Sequence, residues 1–423
     1  MPLKKEILNE LLEIPDISVQ RFYITPQKDL VICAKSTKEE IHCHKCGKLC
    51  DKYGMGQSIK IRHLPIFGHR TYIEITPPRG ICHECSNGSK KVTTSQKLSW
   101  CSDQSKVTKA YEQHLLLSLI NSTIQDVSIK EDVGYTKVVS IIDRYIGEKI
   151  DWGQINQIGL LGLDEVALKK GYKDYVTIVT SKIEDDIKIL GVIKGHNKAE
   201  VKEFLRSIPN KLRKTIKGVC TDMHDGFVFA VKEELSDAVI IIDRFHVAKT
   251  YRACLKTYRM QVLKQLKKKL SSEKYAEFKD AIQIVKNNKN GILTDEEKAK
   301  LRPLFRMSPG LKKAFSFCRK LTNIFNSHIG TKKAEQLISE WISEVEKSEL
   351  TCYNSFIKTL RKYKKEIINY FRDRKNSGFM EGINNKIKVM KRRCYGIFNL
   401  KHFFQRLVLD VQGYALLSIK TGL

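Results

Sequence analysis

The 423-residue chain lacks any uninterrupted apolar run approaching the roughly 18 residues that a membrane-spanning helix requires. Its first residues, MPLKKEILNELLEI, also lack the long apolar stretch of a secretory signal. Both absences predict a cytosolic protein with no membrane partner. Acidic residues are scarce, since 47 Asp and Glu face 76 Lys and Arg, a formal excess of +29. That balance is far from a neutral metabolic enzyme and points to a polyanionic partner, because Lys and Arg that neutralise a phosphate backbone release its condensed counterions. The excess is spread along the chain, whereas a membrane-surface protein concentrates it in one amphipathic helix or tail. A glycine-rich phosphate loop of the GxxxxGK(S/T) type is missing too, so nucleotide hydrolysis is not implied.

Apolar material is not lacking. Hydrophobic residues make up 42% and charged ones 29%, enough for a packed core and incompatible with wholesale disorder. At about 100 to 200 residues per domain, the length predicts two to four domains. In a reducing compartment, the 12 cysteines read as metal ligands wherever they pair at short spacing.

Two such pairs occur. Cys43-His-Lys-Cys46 is followed by Gly47, and Cys82-His-Glu-Cys85 repeats the spacing. Each pair can close a tight knuckle, and four thiolates at about 2.3 Å complete a tetrahedral zinc shell. Cys50 and His83 are substitute ligands on spacing alone. Between the pairs, IKIRHLPIFGHRTYIEITPP alternates apolar and polar residues around Gly68, which predicts the hairpin of a zinc ribbon. Cys33, Cys101 and the five later cysteines stand singly and read as small core residues.

From Lys106 to Glu148 the pattern turns helical, with Leu115, Leu116, Leu119 and Ile120 in one stripe before a break at Asn121-Ser122. TIQDVSIKEDVGYTKVVSIIDRYIG then reads as helix, Gly134 turn and helix. This is the layout of a helix-turn-helix, and equally of a plain three-helix bundle. On the first reading Thr136, Lys137 and Ser140 open the recognition helix and face DNA.

Beyond the linker DWGQINQ, IGLLGLDEVAL is an apolar run carrying Asp164 and Glu165. A KKGYKD turn, YVTIVTS and IKILGVIKG complete a three-strand meander. The helical KAEVKEFLRSI, the run IKGVCTDM ending at Asp222, a helix around FVFAVKEEL, and AVIIIDRFH with Asp243 and His246 give the order β-β-β-α-β-α-β. Acidic residues on the first and fourth strands of such an order are how a ribonuclease-H-like core sets two carboxylates side by side, although a strand-end Asp also serves as a structural cap. Far downstream, NSGFMEGINNKIKVMKRRCYGIFN places Phe379, Ile383, Ile387 and Met390 on a buried helical stripe. Glu381, Asn384, Asn385, Lys388 and Arg392 fall on the other side. Such a face is ordinarily just solvated, but Glu381 has Asn385 rather than a cation at i+4, which favours a metal role over an ion pair. Two divalent ions about 3.5 to 4 Å apart can activate an attacking oxygen and stabilise a leaving oxygen at a phosphodiester. Hard cations of that kind prefer carboxylates, here Asp164, Asp222 and Glu381.

Residues 251 to 375 hold 30 Lys or Arg and 13 Asp or Glu, a net +17 in a long helical stretch. That charge suits a phosphate clamp, and ordinary basic helices packed on their apolar faces explain it as well. Thr294 to Glu297 and Thr331 to Glu335 are candidate capping boxes. Tyr251, Phe305, Phe315, Phe325, Trp341 and Tyr363 read as core.

Taken together, the paired CxxC, the helix-turn-helix region, LDEVALKKG, CTDM, IDRFHV and FMEGINNKIKVMKRRCYGIFN resemble the ISL-three family of DDE-type insertion-sequence transposases over nearly the whole chain. The resemblance implies a catalytic triad of Asp164, Asp222 and Glu381, with Asp243 and His246 supporting it, two Mg²⁺ (or Mn²⁺) ions and one structural Zn²⁺ on Cys43, Cys46, Cys82 and Cys85. It implies DNA contacts from Asn385, Lys388, Lys391 and Arg392. The expected fold is multidomain α/β plus α: an N-terminal region 1–100 with a ribbon at about 40–95, a helix-turn-helix at 101–150, and a ribonuclease-H-like mixed-sheet core at 155–249 and 376–423, interrupted by an all-helical insertion at 250–375. The expected activity is nicking at terminal inverted repeats followed by attack of the freed 3′-hydroxyl on target DNA, by a dimer or larger assembly in a prokaryotic, nucleoid-associated cytoplasm. Two rivals remain open on the residues: a sequence-specific DNA-binding regulator without catalysis, and a structure-specific nuclease without strand transfer.

Overall fold

Alternating apolar residues build three sheets, and long amphipathic stripes build the helices around them. The computed structural model describes residues 5–87, 90–168, 175–288, 291–374, 378–396 and 399–417. The KKGYKD turn at 169–174 and the opening Asn376-Ser377 of the last sequence block lie outside these residues. Two compact units emerge, residues 1–146 with 413–423 and residues 147–412.

In the first unit, α1 (Lys5–Leu12) precedes β1 (Ile17–Ile24), β2 (Leu30–Ser36), β3 (Asp51–Met55), β4 (Ile59–Ile66), β5 (His69–Ile75), β6 (Pro78–Asn87) and β7 (Lys90–Ser95). One sheet runs β1-β2-β5-β4 and a second runs β3-β6-β7. The hairpin expected within the zinc ribbon therefore forms as β4 and β5 but joins the other sheet. The reason is burial: Ile61, Ile73 and Ile75 project from one face and pack with Ile17 and Trp100. The small ribbon sheet, cored by Ile41, Cys43, Cys50, Cys82 and Val92, is a separate apolar cluster. Gly68 takes the hairpin turn at φ +78°, a left-handed conformation that glycine adopts without steric penalty.

Helices α2 (Lys109–Leu119), α3 (Ile124–Lys130) and α4 (Tyr135–Tyr145) follow. The Thr108 and Thr123 hydroxyls cap α2 and α3 by accepting from the N–H groups of Tyr111 and Asp126. The expected break falls at Asn121, whose φ is +57°. Glu112 is fully buried in this bundle, held by the Ser102 and Ser105 hydroxyls, the Tyr145 hydroxyl and the Arg144 guanidinium. A buried carboxylate is tolerated only with that degree of pairing.

The second unit is built on β8 (Gly159–Ala167), β9 (Tyr175–Ile183), β10 (Asp186–Lys194), β11 (Ile216–Thr221) and β12 (Val239–Ile242), in sheet order β10-β9-β8-β11-β12. β8, β9 and β10 pair antiparallel, whereas β11 runs parallel to both β8 and β12. The connecting helices are α5 (Lys198–Ser207), the short α6 (Asn210–Arg213) and α7 (Asp225–Glu234), so the predicted element order is found with α6 added. Leu161, Leu163 and Val179 pack with Val201, Leu205, Phe227 and Val231 of α5 and α7.

After β12 come α8 (Arg244–Lys269), α9 (Ser272–Ala276), α10 (Lys279–Asn287), α11 (Asp295–Met307), α12 (Pro309–Asn326) and α13 (Thr331–Lys347). Then follow α14 (Asn354–Lys362), α15 (Lys364–Ile368), α16 (Tyr370–Asp373), α17 (Gly378–Arg393) and α18 (Leu400–Leu417). Tyr251, Phe315, Phe325, Trp341 and Tyr363 are core residues as expected, with Phe305 half-buried against them. The Thr294 and Glu297 capping box forms fully. Thr331 instead begins α13 behind Gly330, because the reciprocal box needs a three-residue spacing and Glu335 stands four away.

Gly162 on β8 fixes where α17 lies. Because side chains alternate across a strand, Gly162 faces away from Leu161 and Leu163. A Cβ there would come within 2.4 Å of Thr180 Oγ1, 2.6 Å of Met380 Sδ and 3.0 Å of Phe379 Cζ. We expect Gly162→Ala to destabilise the chain by about 1–3 kcal/mol in urea unfolding. Gly382→Ala, whose Cβ would meet nothing within 4 Å, should be neutral or slightly stabilising.

Candidate active site and zinc site

The ribbon cysteines converge. Gly47, at φ +74°, turns the first knuckle and donates its N–H to the Cys43 carbonyl at 2.9 Å. Cys82 and Cys85 sit on β6. One sulfur from each of Cys43, Cys46, Cys82 and Cys85 lies within 4.8 Å of the others, with Cys46 and Cys82 at 3.6 Å. Backbone N–H groups of Cys46 and Lys45 bring the Cys43 thiol down to about 6, while the Cys46 side chain and burial push Cys85 up to about 12. One thiolate forms readily and its neighbours resist a second, a frustration that a dication at the centre removes. Cys50 stands outside the set and is pushed up by burial, and the exposed His83 turns its Nε2 to Asp51 at 3.1 Å. Neither substitute ligand is part of the four-sulfur group.

The acidic site lies just beyond the point where the parallel pairing of β8 and β11 stops, at Gly162 opposite Cys220. Asp164 projects from β8, Asp222 follows β11, and His246 sits in the first turn of α8; one donor atom of each lies within 4.8 Å of the others. Asp243 follows β12 and caps α8 by accepting the Phe245 N–H at 3.0 Å, with its other oxygen 3.4 Å from His246 Nδ1. Burial raises the Asp164 carboxyl against the opposing Asn384 hydrogen bond and the His246 charge. Asp222 is pushed up to about 6, first by burial, then by the neighbouring carboxylates of Asp164, Glu165 and Asp243, with His246 opposing. Asp222 Oδ1 and Asn384 Oδ1 are buried and have no hydrogen-bond partner among the described residues. Buried oxygens of this kind suit a hard divalent cation.

Helix α17 meets this site. Phe379, Ile383, Ile387 and Met390 are buried as its stripe predicts. Asn384 departs from expectation: it turns inward and its amide donates to Asp164 Oδ2. Lys391 also turns inward, its ammonium donating to the Ala167 carbonyl. Glu381 is exposed in the first turn, one turn before Asn384, and is not in the Asp164, Asp222 and His246 group. Asn385, Lys388 and Arg392 are exposed. On α4, Thr136 and Ser140 are exposed, whereas Lys137 is half-buried, 3.3 Å from Ser105 Oγ, and burial lowers its pKa. Sequence reasoning missed Asn384 as a partner of Asp164, and a second group, Glu165, His196 and His224. The signal for Asn384 was its helical spacing from Glu381; His196 and His224 follow separate strands and form no motif.

A four-sulfur ribbon upstream of a mixed sheet that gathers carboxylates at its strand ends is the make-up of a DNA-cleaving and DNA-joining enzyme. The chain belongs to the ISL-three family of DDE transposases, whose transposase profile matches residues 161–407. A second profile, the zinc-finger of transposases IS204/IS1001/IS1096/IS1165, matches residues 39–85. The chain is 25% identical over 394 residues to the transposase for insertion sequence element IS1001 of Bordetella parapertussis, spanning 92% of this chain and 93% of that one. It is 20% identical over 395 residues to the transposase for IS1557 of Mycobacterium tuberculosis, covering 88% and 86%. Its cofactors are accordingly Zn²⁺ at the ribbon and divalent metal for catalysis, and no helix among the described residues is long and apolar enough to cross a membrane.

Two outcomes follow. Cys43→Ser with Cys82→Ser should lower bound zinc by one ion per chain in elemental analysis while leaving unfolding of the second unit unchanged; an unchanged zinc content refutes the assignment. For Asp222, a folded value of about 6 lies above the ordinary 3.8, so its contribution to metal-free stability is complete below pH 3.8 and lost as pH rises through 6. In chelator, Asp222→Asn should gain on wild type across that window, by at most roughly 1.4 kcal/mol per pH unit in denaturant titrations.

Proposed function

We propose that Asp164, Asp222 and Glu381 are the catalytic carboxylates of this transposase, set in a ribonuclease-H-like core at 155–249 and 376–423 with residues 250–375 as its helical insertion. The observation that carries the reading is the meeting of Asp164 and Asp222 just beyond the parallel pairing of neighbouring strands β8 and β11, with α17 hydrogen-bonded to Asp164 through Asn384. Glu381 is one helical turn from that bond on the same side of α17. The three carboxylates would hold a pair of Mg²⁺ or Mn²⁺ ions, which when bound lower the pKa of an attacking water or hydroxyl and neutralise charge at the phosphodiester.

The chain's own residues prepare that chemistry. Asn384 and the Glu165 N–H, the latter 2.8 Å from Asp164 Oδ1, fix the Asp164 carboxylate by occupying an oxygen each. Asp243 and His246 support the pair, Asp243 by starting α8 and His246 by standing beside both aspartates. Exposed Asn385, Lys388 and Arg392 of α17 bind the phosphate backbone next to the scissile bond. Lys391 is proposed to position α17 rather than to touch DNA, since its ammonium is engaged with Ala167. Thr136, Lys137 and Ser140 would read DNA from α4 if α3 and α4 serve as a helix-turn-helix, with Thr136 and Ser140 best exposed for it. The substrates in this reading are the element's terminal inverted repeats and target DNA, bound by a dimer or larger.

The test is Mg²⁺- or Mn²⁺-dependent cleavage of a terminal-repeat duplex, and strand transfer from a pre-nicked 3′-hydroxyl end. Asp164→Asn, Asp222→Asn and Glu381→Gln should each lose roughly 100-fold or more in both steps. Full activity in any one variant removes that residue from the triad; cleavage without transfer by the wild type would favour a nuclease.

A further inference from the structure

Strand β8 carries ligand-type side chains on both faces. Asp164 shares the face of Gly162, which α17 covers, whereas Glu165, the next residue, shares the face of Leu163, on which α5 and α7 pack. On that side Glu165 meets His196, which follows β10, and His224, which precedes α7. One donor atom from each lies within 4.8 Å of the other two. Glu165 Oε2 is 3.0 Å from His196 Nδ1, yet the two are out of line for a hydrogen bond. His196 Nδ1 and His224 Nδ1 are both buried without a hydrogen-bond partner among the described residues. The two imidazoles stand 5.1 Å apart, with the Tyr175 ring 5.1 Å from His196 and the Phe227 ring 4.9 Å from His224, so packing orients both.

We propose that Glu165, His196 and His224 form a second metal site, separate from the paired aspartates and from the ribbon, which takes one divalent transition-metal ion. Two imidazoles and one carboxylate are borderline donors that suit Zn²⁺, Co²⁺ or Mn²⁺, whereas Mg²⁺ prefers an all-oxygen shell. Donors sharing an ion at about 2.1 Å stand roughly 3 to 3.5 Å apart, so small side-chain rotations close the shell. All three residues are half-buried, which leaves room for water as a further ligand. The ion ties the end of β8 to the segments that follow β10 and β11. Asp164 and Asp222 emerge from two of those same places, so it stiffens the catalytic carboxylates from behind.

Cobalt is the probe. The full chain, with zinc in the ribbon and with Asp164→Asn and Asp222→Asn to remove the competing oxygen ligands, is titrated with Co²⁺ and followed by visible absorption and thermal unfolding. The expected result is one equivalent of Co²⁺ with ligand-field bands, no thiolate charge-transfer band, and a raised thermal midpoint. Adding His196→Gln or His224→Gln should weaken binding by about tenfold or more and abolish the thermal shift, with the cobalt-free midpoint unchanged. No cobalt bound by the parent, or equal affinity in both histidine variants, overturns the site. Should the Asn pair unfold the chain, the same comparison with both aspartates intact decides it: the double histidine variant must lose one bound equivalent and keep the rest.

Discussion

Two carboxylates forced together out of water are the constraint around which the second unit is arranged. Asp164 and Asp222 approach within 4.8 Å in a buried setting, where two like charges repel by on the order of 3 kcal/mol at an effective dielectric of about 20. Burial first, and the neighbouring carboxylates after it, push Asp222 up to about 6. Parallel pairing of β8 and β11 sets up this repulsion: the register reaches Gly162 opposite Cys220, and Asp164 and Asp222 each lie two residues further along. The Asn384 amide, the Glu165 N–H and His246 each relieve it in part. None of the three removes it entirely, since Asp222 stays raised.

That arrangement governs the rest of the chain path. The chain leaves the sheet at Asp243, which ends β12, accepts the Phe245 N–H to start α8, and lies beside His246. A single side chain thus couples the edge of the site to the first helix of a long helical region. The return is as constrained as the departure. Helix α17 must land on the face of β8 where Gly162 leaves room for Met380 and Phe379, and only then does Asn384 reach Asp164.

Much of this is legible in the order of residues alone. The doubled CxxC, the strand and helix order from Gly159 to Ile242, the Asn121 break and the buried stripe of α17 all follow from short-range periodicity, and each is found. The exceptions are long-range. The β4 and β5 hairpin has the alternation of a ribbon hairpin, but alternation says which face is apolar and not which sheet will bury it. Helical spacing and its polar amide put Asn384 on the solvent side. Its half-buried position is set by a carboxylate 220 residues earlier, which no helical wheel contains. Glu165, His196 and His224 come together only because β8, β10 and β11 share a sheet.

The charge balance admits a similar argument. Within the helices from α8 to α16, Asp295, Glu335, Glu344, Glu346 and Glu366 are already paired, with Lys298, Lys364, Lys320, Arg361 and Lys232 respectively. Most of these pairs are solvent-exposed and add little stability. The net +17 of residues 251–375 is the excess of 30 cations over 13 carboxylates there, which pairing within the region leaves unchanged. On α8, Lys256, Lys264, Lys267, Lys268 and Lys269 are exposed while Leu255, Val262, Leu263 and Leu266 turn to the core. One helix therefore packs with its apolar side and presents its cations to solvent with the other. Of the two explanations that composition offered for this region, the packed apolar faces of basic helices are seen directly, and the exposed cations are the surface that a phosphate clamp would require.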